Sequence, residues 1–156
     1  MSSPDEQGRR DANRSLIARF LSDVHRDIDD FFTDDAVKEI PFATFFSPDG
    51  GPMRWQGKEA LRANAEANSR RIDWYEWRDV RISGTDDPDR FFVEASGVGE
   101  MTVGGVTRPY VQKEYYLIFE LRDGRIALYK EIMNPLELLK TVGGEIVLPD
   151  LPPQEY

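Results

Sequence analysis

The chain has 156 residues, 29 acidic residues against 20 Lys plus Arg, a net charge of −9, one histidine, no cysteine and 40% hydrophobic residues, an arithmetic that fits one compact domain. Without a thiol, disulfide scaffolds, thiolate nucleophiles, iron–sulfur clusters and cysteine-ligated zinc are excluded, and a catalytic triad has only His25 to draw on. The acidic balance and dispersed basic residues argue against nucleic acid as a partner, no apolar run reaches the roughly 20 residues that span a bilayer, and the polar start MSSPDEQGRR predicts a cytoplasmic protein with no membrane association.

In chain order, Leu16, Ile17, Phe20, Leu21, Val24 and Ile28 recur at three- and four-residue spacing and predict a helix over 5–25, capped by Ser3-Pro4-Asp5-Glu6. The acidic segment from Asp27, carrying Phe31 and Phe32, predicts a short second helix ending at Thr33-Asp34-Asp35. Ala36 to Phe46, aromatic and β-branched but interrupted by Pro41, predicts a strand at a sheet edge. After the turn cluster Ser47 to Pro52, the stretch Lys58 to Arg71 is rich in Ala, Glu, Arg and Leu and predicts a third helix. Trp74 to Ile82, Phe91 to Val103, Tyr110 to Leu121 and Arg125 to Met133 then predict an antiparallel meander, punctuated by Gly84 to Pro88, Gly104-Gly105 and Asp123-Gly124. Asn134-Pro135 opens a last helix that Gly143-Gly144 stops, and 146–156 reads as an extended tail after a single domain of 1–145. The expected class is α+β, with N-terminal helices packed on an antiparallel sheet.

If Asp123-Gly124 is a two-residue loop, Leu121 pairs with Ile126, Tyr116 falls opposite Glu131 and Ile118 opposite Tyr129. One face then carries Leu117, Phe119, Ile126, Leu128 and Ile132 and reads as packing or a dimer interface. The other carries Glu114, Tyr116, Tyr129 and Glu131, joined by Ala95, Gly97 and Gly99, and mixes carboxylates, phenols and small residues as a ligand pocket does. A solvated face explains Glu114 and Glu131 equally well, and the pattern alone does not choose.

Three stretches resemble the phenazine biosynthesis PhzA/PhzB family, whose fold is the SnoaL-like cone of the nuclear-transport-factor and ketosteroid-isomerase type: Phe31-Phe32-Thr33-Asp34-Asp35; Trp77 with Ile82 to Pro88 and Phe92-Val93-Glu94; and Phe119 to Ile126 through Glu131-Ile132-Met133-Asn134. The resemblance implies a dimeric α+β cone with a curved antiparallel sheet. It also implies an enzyme that condenses two amino-cyclohexenone carboxylic acid molecules with a pocket acid, and with no metal or other cofactor. It assigns the catalytic glutamate to Glu131. The positions matching the family's pocket histidine and serine are Asn64 and Asn68, which hydrogen-bond but carry no proton at neutral pH. Two solvated asparagines on one helix face is the plain alternative.

Imine formation and double-bond migration need proton transfers that one buried carboxyl can shuttle. Glu131 is the expected group, with Glu114, Tyr116 and Tyr129 beside it and an aromatic wall from Phe42, Phe46, Trp55 and Trp74. A polyketide cyclase or isomerase would instead use Asp35 or Glu39 as base, and a third possibility is a non-catalytic binding partner. The expected partners are a small molecule and a second copy of the chain.

Overall fold

The computed structural model describes residues 4–23 and 27–147, apart from the side chain of Trp74, so His25 and most of the expected tail lie outside the described residues. Helix α1 (Pro4–Ser22) opens with Pro4, has Asp5 and Glu6 in its first turn and Arg19 in its last, a charge order that suits the helix dipole. Helix α2 (Ile28–Phe31) is a single turn capped by the Asp27 side chain, which accepts from the Asp29 N–H. The chain becomes extended at Phe32, four residues earlier than the sequence predicts, because Phe32 and Ala36 are needed as buried strand residues.

Strand β1 (Phe32–Ile40) ends just before Pro41, which has no N–H to extend a ladder; Thr44–Phe46 form a 3-10 turn rather than the expected strand. Strand β2 (Met53–Gln56), which the sequence reading missed, precedes helix α3 (Lys58–Ser69). Gly57 joins them at φ +82°, a backbone conformation costly for other residues, and its N–H donates to the Ala36 carbonyl at 2.8 Å. The expected meander follows as β3 (Ile72–Gly84), β4 (Arg90–Val103), β5 (Val106–Arg122) and β6 (Arg125–Met133). Helix α4 (Pro135–Thr141) is capped by Asn134 through the Leu136 N–H.

The strands form one curled sheet in the order β2-β1-β6-β5-β4-β3, with the helices against its concave side. All neighbouring pairs are antiparallel except β1 and β6, which run parallel. Bulges supply the curl and decide which residues face inward. Leu121 pairs with Ile126 as expected, but Glu120 pairs with Leu128, so Ala127 is an extra residue. Downstream of it Glu131 lies opposite Leu117, not Tyr116. Tyr129, Glu131 and Met133 thereby join Tyr115, Leu117 and Phe119 on the concave face, while Leu128 and Ile132 turn to the convex one. The expected interface of Leu117, Phe119, Ile126, Leu128 and Ile132 on one side of the hairpin is therefore not a single face: its first three members are core. A second bulge, between the pairs Ala95 with Tyr115 and Gly97 with Gln112, brings Gln112 and Tyr110 to the concave side.

Helix α1 packs its apolar face into the cone through Ile17, Phe20 and Leu21. Phe20 is its hub, meeting the rings of Phe31, Phe32, Phe119 and Tyr129 edge-on at 5.5, 5.3, 5.9 and 5.4 Å. The polar half of α1 is clasped by the Gly84 to Pro88 turn. Buried Asn13 donates to the Pro88 carbonyl at 3.1 Å and to Asp89 at 2.9 Å, and Arg10 donates to the Thr85 and Asp86 carbonyls. At the far end, Gly97 leaves room for the ring of Tyr75: a Cβ there would lie 1.9 Å from the Tyr75 hydroxyl and 2.9 Å from the Tyr115 ring.

Gly97→Ala is therefore expected to lower stability by about 1–3 kcal/mol through overpacking, read as a reduced melting temperature. Acid lability provides a second check. Arg62 donates to both Asp29 carboxylate oxygens at 2.6 and 2.7 Å, holding that carboxyl below its usual range, while Lys58 bridges Asp29 and Asp34. A depressed folded pKa contributes stability above the ordinary carboxylate value of about 4 and loses it as pH falls through the folded value. The stability deficit of Arg62→Ala should thus be present at neutral pH and shrink in strong acid, as measured by denaturant titration.

Candidate functional site

A row of side chains crosses three strands on the concave face. Lys38 of β1 pairs in register with Trp55 of β2 on one side and Tyr129 of β6 on the other. Its ammonium lies 5.6 Å from the Trp55 ring centroid and 5.7 Å from that of Tyr129. Two residues along β6, Glu131 emerges on the same face, and its Oε1 is 3.0 Å from Lys38 Nζ; only 14% and 13% of these two side chains are exposed. From above, α3 contributes Asn64 and Asn68. Lys38 Nζ donates to Asn64 Oδ1 at 3.3 Å, and Asn68 Nδ2 reaches the same oxygen at 3.5 Å. The helix is aimed this way because Leu61 and Asn64, three residues apart, are its buried positions.

An ion pair so shielded from water is costly to hold unless its remaining polar atoms are satisfied, and the Asn64 amide does part of that. Chemically the cluster offers one carboxylate able to accept and return a proton, one amine and two amides that orient.

A second polar group lies deeper on the same face. Tyr110 and Tyr115 share a hydrogen bond of 3.0 Å between hydroxyls, Gln112 Nε2 donates to the Tyr110 hydroxyl at 3.3 Å, and Trp77 packs edge-on against Tyr115 at 4.7 Å. Gln112 also donates to the Asn134 carbonyl at 2.8 Å and accepts from the Asn134 N–H at 3.2 Å, clamping the end of β6. Burial pushes the Tyr110 hydroxyl up to about 12 and that of Tyr115 well above its ordinary value, with the Glu131 charge adding to both shifts. Both phenols are neutral donors over the physiological range.

The structure brings Glu131, Asn64, Asn68, Tyr129 and Trp55 together. Glu114 and Tyr116 do not join them, because the Ala127 bulge moved Glu131 away from their face; both are on the convex side, Tyr116 with 46% exposure. Phe46 sits in the 3-10 turn against Phe45, half exposed, and Phe42 is exposed, so neither closes the cluster. Trp74's side chain is outside the described part. Asp35 is exposed and paired with Arg122, and Glu39, on the sheet face opposite Lys38 and only 12% exposed, pairs with Lys130 at 3.1 Å and Arg54 at 3.5 Å. Lys38 was missed by sequence reasoning, although Ala36-x-Lys38-x-Ile40 places it between two apolar residues on one strand face. Two open surface hollows, of about 630 Å³ beside Arg19 and Phe31 and about 280 Å³ over the bulges at Arg81, Ser96 and Lys113, include none of Lys38, Glu131 or Asn64 in their linings. Among the described residues no helix is long and apolar enough to cross a membrane.

A family model described as phenazine biosynthesis protein A/B matches residues 5–152. Phenazine biosynthesis protein PhzA1 of Pseudomonas aeruginosa is 40% identical over 94 residues, 60% of this chain and 58% of that protein, so the match spans less than two thirds of the relative. PhzB1 of the same organism is 27% identical over 136 residues, 85% of this chain and 82% of PhzB1. Among crystal structures, a phenazine biosynthesis-related protein, PhzB2 of P. aeruginosa, superposes with a TM-score of 0.80 at 24% identity, covering 96% of this chain and 98% of the other. A putative polyketide cyclase of Xanthomonas campestris pv. campestris superposes at 0.70 and 20% identity, covering 86% and 99%. Both likenesses establish the cone fold.

The buried phenols give a spectroscopic expectation. A raised folded pKa means the neutral phenol is favoured by folding, so stability is unaffected below about 10 and falls as pH rises above the unfolded value. In an ultraviolet titration Tyr110 and Tyr115 should ionise last, together with alkaline unfolding, and Tyr110→Phe should remove one late-titrating phenol.

Proposed function

The chain belongs to the phenazine biosynthesis protein A/B family, and on that premise we propose that it promotes an acid/base-assisted condensation or cyclisation of a small cyclic substrate in phenazine assembly, without a cofactor. The observation that carries this reading is the contact of Lys38 with both Glu131 and Asn64 on the concave sheet face. Joining two amino ketones requires a proton to leave nitrogen as the carbon–nitrogen bond forms and a proton to reach the carbonyl oxygen that departs as water. Further proton shifts between carbon and nitrogen move the double bonds. Glu131 is the group that takes and returns these protons, while Asn64 and Asn68 hydrogen-bond the substrate's polar edge.

The broader cyclase or isomerase role in secondary metabolism is supported by the family match, with the cone shared by polyketide cyclases. A polyketide-directed version using Asp35 or Glu39 has less support, since Asp35 is exposed and Glu39 points to the convex side. A homodimer forms part of the proposal. Phe92, Tyr116, Ile118, Leu128 and Ile132 are neighbours across β4, β5 and β6 on the convex face, and Phe92 and Tyr116 are 43% and 46% exposed.

Glu131→Gln is expected to fold and to lose about 10²–10⁴-fold in the rate of product formation from an amino-cyclohexenone carboxylate, with Glu131→Asp intermediate. Unchanged turnover in a folded Glu131→Gln protein would reject the role. Sedimentation at micromolar concentration should show a dimer that Tyr116→Glu dissociates; a monomeric parent chain would count against the convex interface.

A further inference from the structure

We propose that Lys38 is a covalent nucleophile whose Nζ forms an iminium with the carbonyl carbon of a cyclic ketone held in the cone. The inference rests on the reading of the concave face as the reacting site, and it adds a second chemical role there. Lysine stems normally carry their ammonium out to water. Lys130, on the next strand, does this: it is 33% exposed and pairs with Glu39 on the convex side. The Lys38 side chain is 14% exposed, as is that of Lys58, but Lys58 pairs with the exposed carboxylates of Asp29 and Asp34 whereas Lys38 Nζ lies among Glu131, Asn64, Trp55 and Tyr129.

The surroundings supply what amine catalysis needs. A nucleophilic amine must first lose a proton, and the acceptor is in contact: Glu131 Oε1 at 3.0 Å. Proton transfer along this contact leaves a free amine beside a carboxylic acid. The Asn64 carbonyl oxygen, 3.3 Å away, keeps Nζ directed into the cone while the proton moves.

The step balances within the protein. The Lys38 ammonium gives one proton to Glu131, and the amine lone pair adds to the ketone carbon as the carbonyl oxygen takes up a proton. The nitrogen of the resulting carbinolamine loses its second proton to the same carboxylate relay, and the hydroxyl, protonated by Glu131, leaves as water. Ammonium and ketone have become iminium and water, with the charge conserved and Glu131 returned as carboxylate. Attack by the amine of a second molecule then exchanges nitrogen for nitrogen and releases Lys38. This route also accounts for a chain that has Asn64 and Asn68 where the resemblance implies a histidine and a serine, since the second proton-carrying group comes from the strand instead.

The test is reductive trapping of the full chain with 4-oxocyclohexanecarboxylate and sodium cyanoborohydride at neutral pH, read by peptide mass mapping. Labelling at Lys38 is expected to exceed that at Lys58, Lys113, Lys130 and Lys140 by about tenfold or more, to vanish in Lys38→Arg, and to slow by a similar factor in Glu131→Gln. Labelling of Lys38 no greater than that of the other lysines overturns the proposal, and this arm uses the unmutated protein and so depends on no variant folding. If turnover needs Glu131 while Lys38 is not trapped, the acid/base reading stands and the covalent one fails; trapping at Lys38 with turnover indifferent to Glu131 gives the reverse.

Discussion

One extra residue in one strand decides which side chains of this protein face the interior of the cone. Ala127 has no partner on β5, and that mismatch turns every later side chain of β6 over. With a regular ladder Glu131 would share a face with Tyr116, on the side of the sheet that carries Ile118 and Glu120. With the bulge it shares a face with Leu117 and Phe119, beneath α1 and α3. The same device between Gln112 and Tyr115 aims the buried phenols inward, and irregularities in β3 complete the curl. The cone is thus both a shape and a sorting of side chains.

What is sorted inward is mostly apolar, and the polar groups there include Lys38, Glu131, Asn64, Gln112 and the hydroxyls of Tyr110 and Tyr115. Each of these has a partner among the others. Gln112 binds both backbone groups of Asn134, whose side chain in turn caps α4. The interior network and the last helix are consequently one unit.

Much of the fold was legible because its signals are local. Asp123-Gly124, Gly104-Gly105 and Asn134-Pro135 are turn and cap chemistry, and they bounded β4, β5, β6 and α4 closely. The bulges were not legible, because an extra residue in a strand is specified by what the sheet must wrap around and not by its neighbours in the chain. That is why a regular ladder groups Glu114 and Tyr116 with Glu131, and why the convergence of Tyr110, Gln112 and Tyr115 is not visible in the sequence. Strand β2 escaped because four residues carry little periodicity. Lys38 escaped for a different reason: a charged residue in an edge-like strand is ordinarily read as solvent-facing. Asn64, Asn68 and Glu131 were singled out by family resemblance, and the helix spacing and the bulge explain how they come to share one oxygen-lined corner.

The parallel pairing of β1 with β6 has a temporal consequence. Every hairpin of the meander can close as soon as its own turn is made, but β1 must wait for the last strand, since the residues it pairs with lie more than half the chain away. Lys38 and Glu131 sit on opposite sides of that late seam. Until β1 joins β6, Lys38 and Glu131 are on separate parts of the sheet, and their contact forms only with that closure.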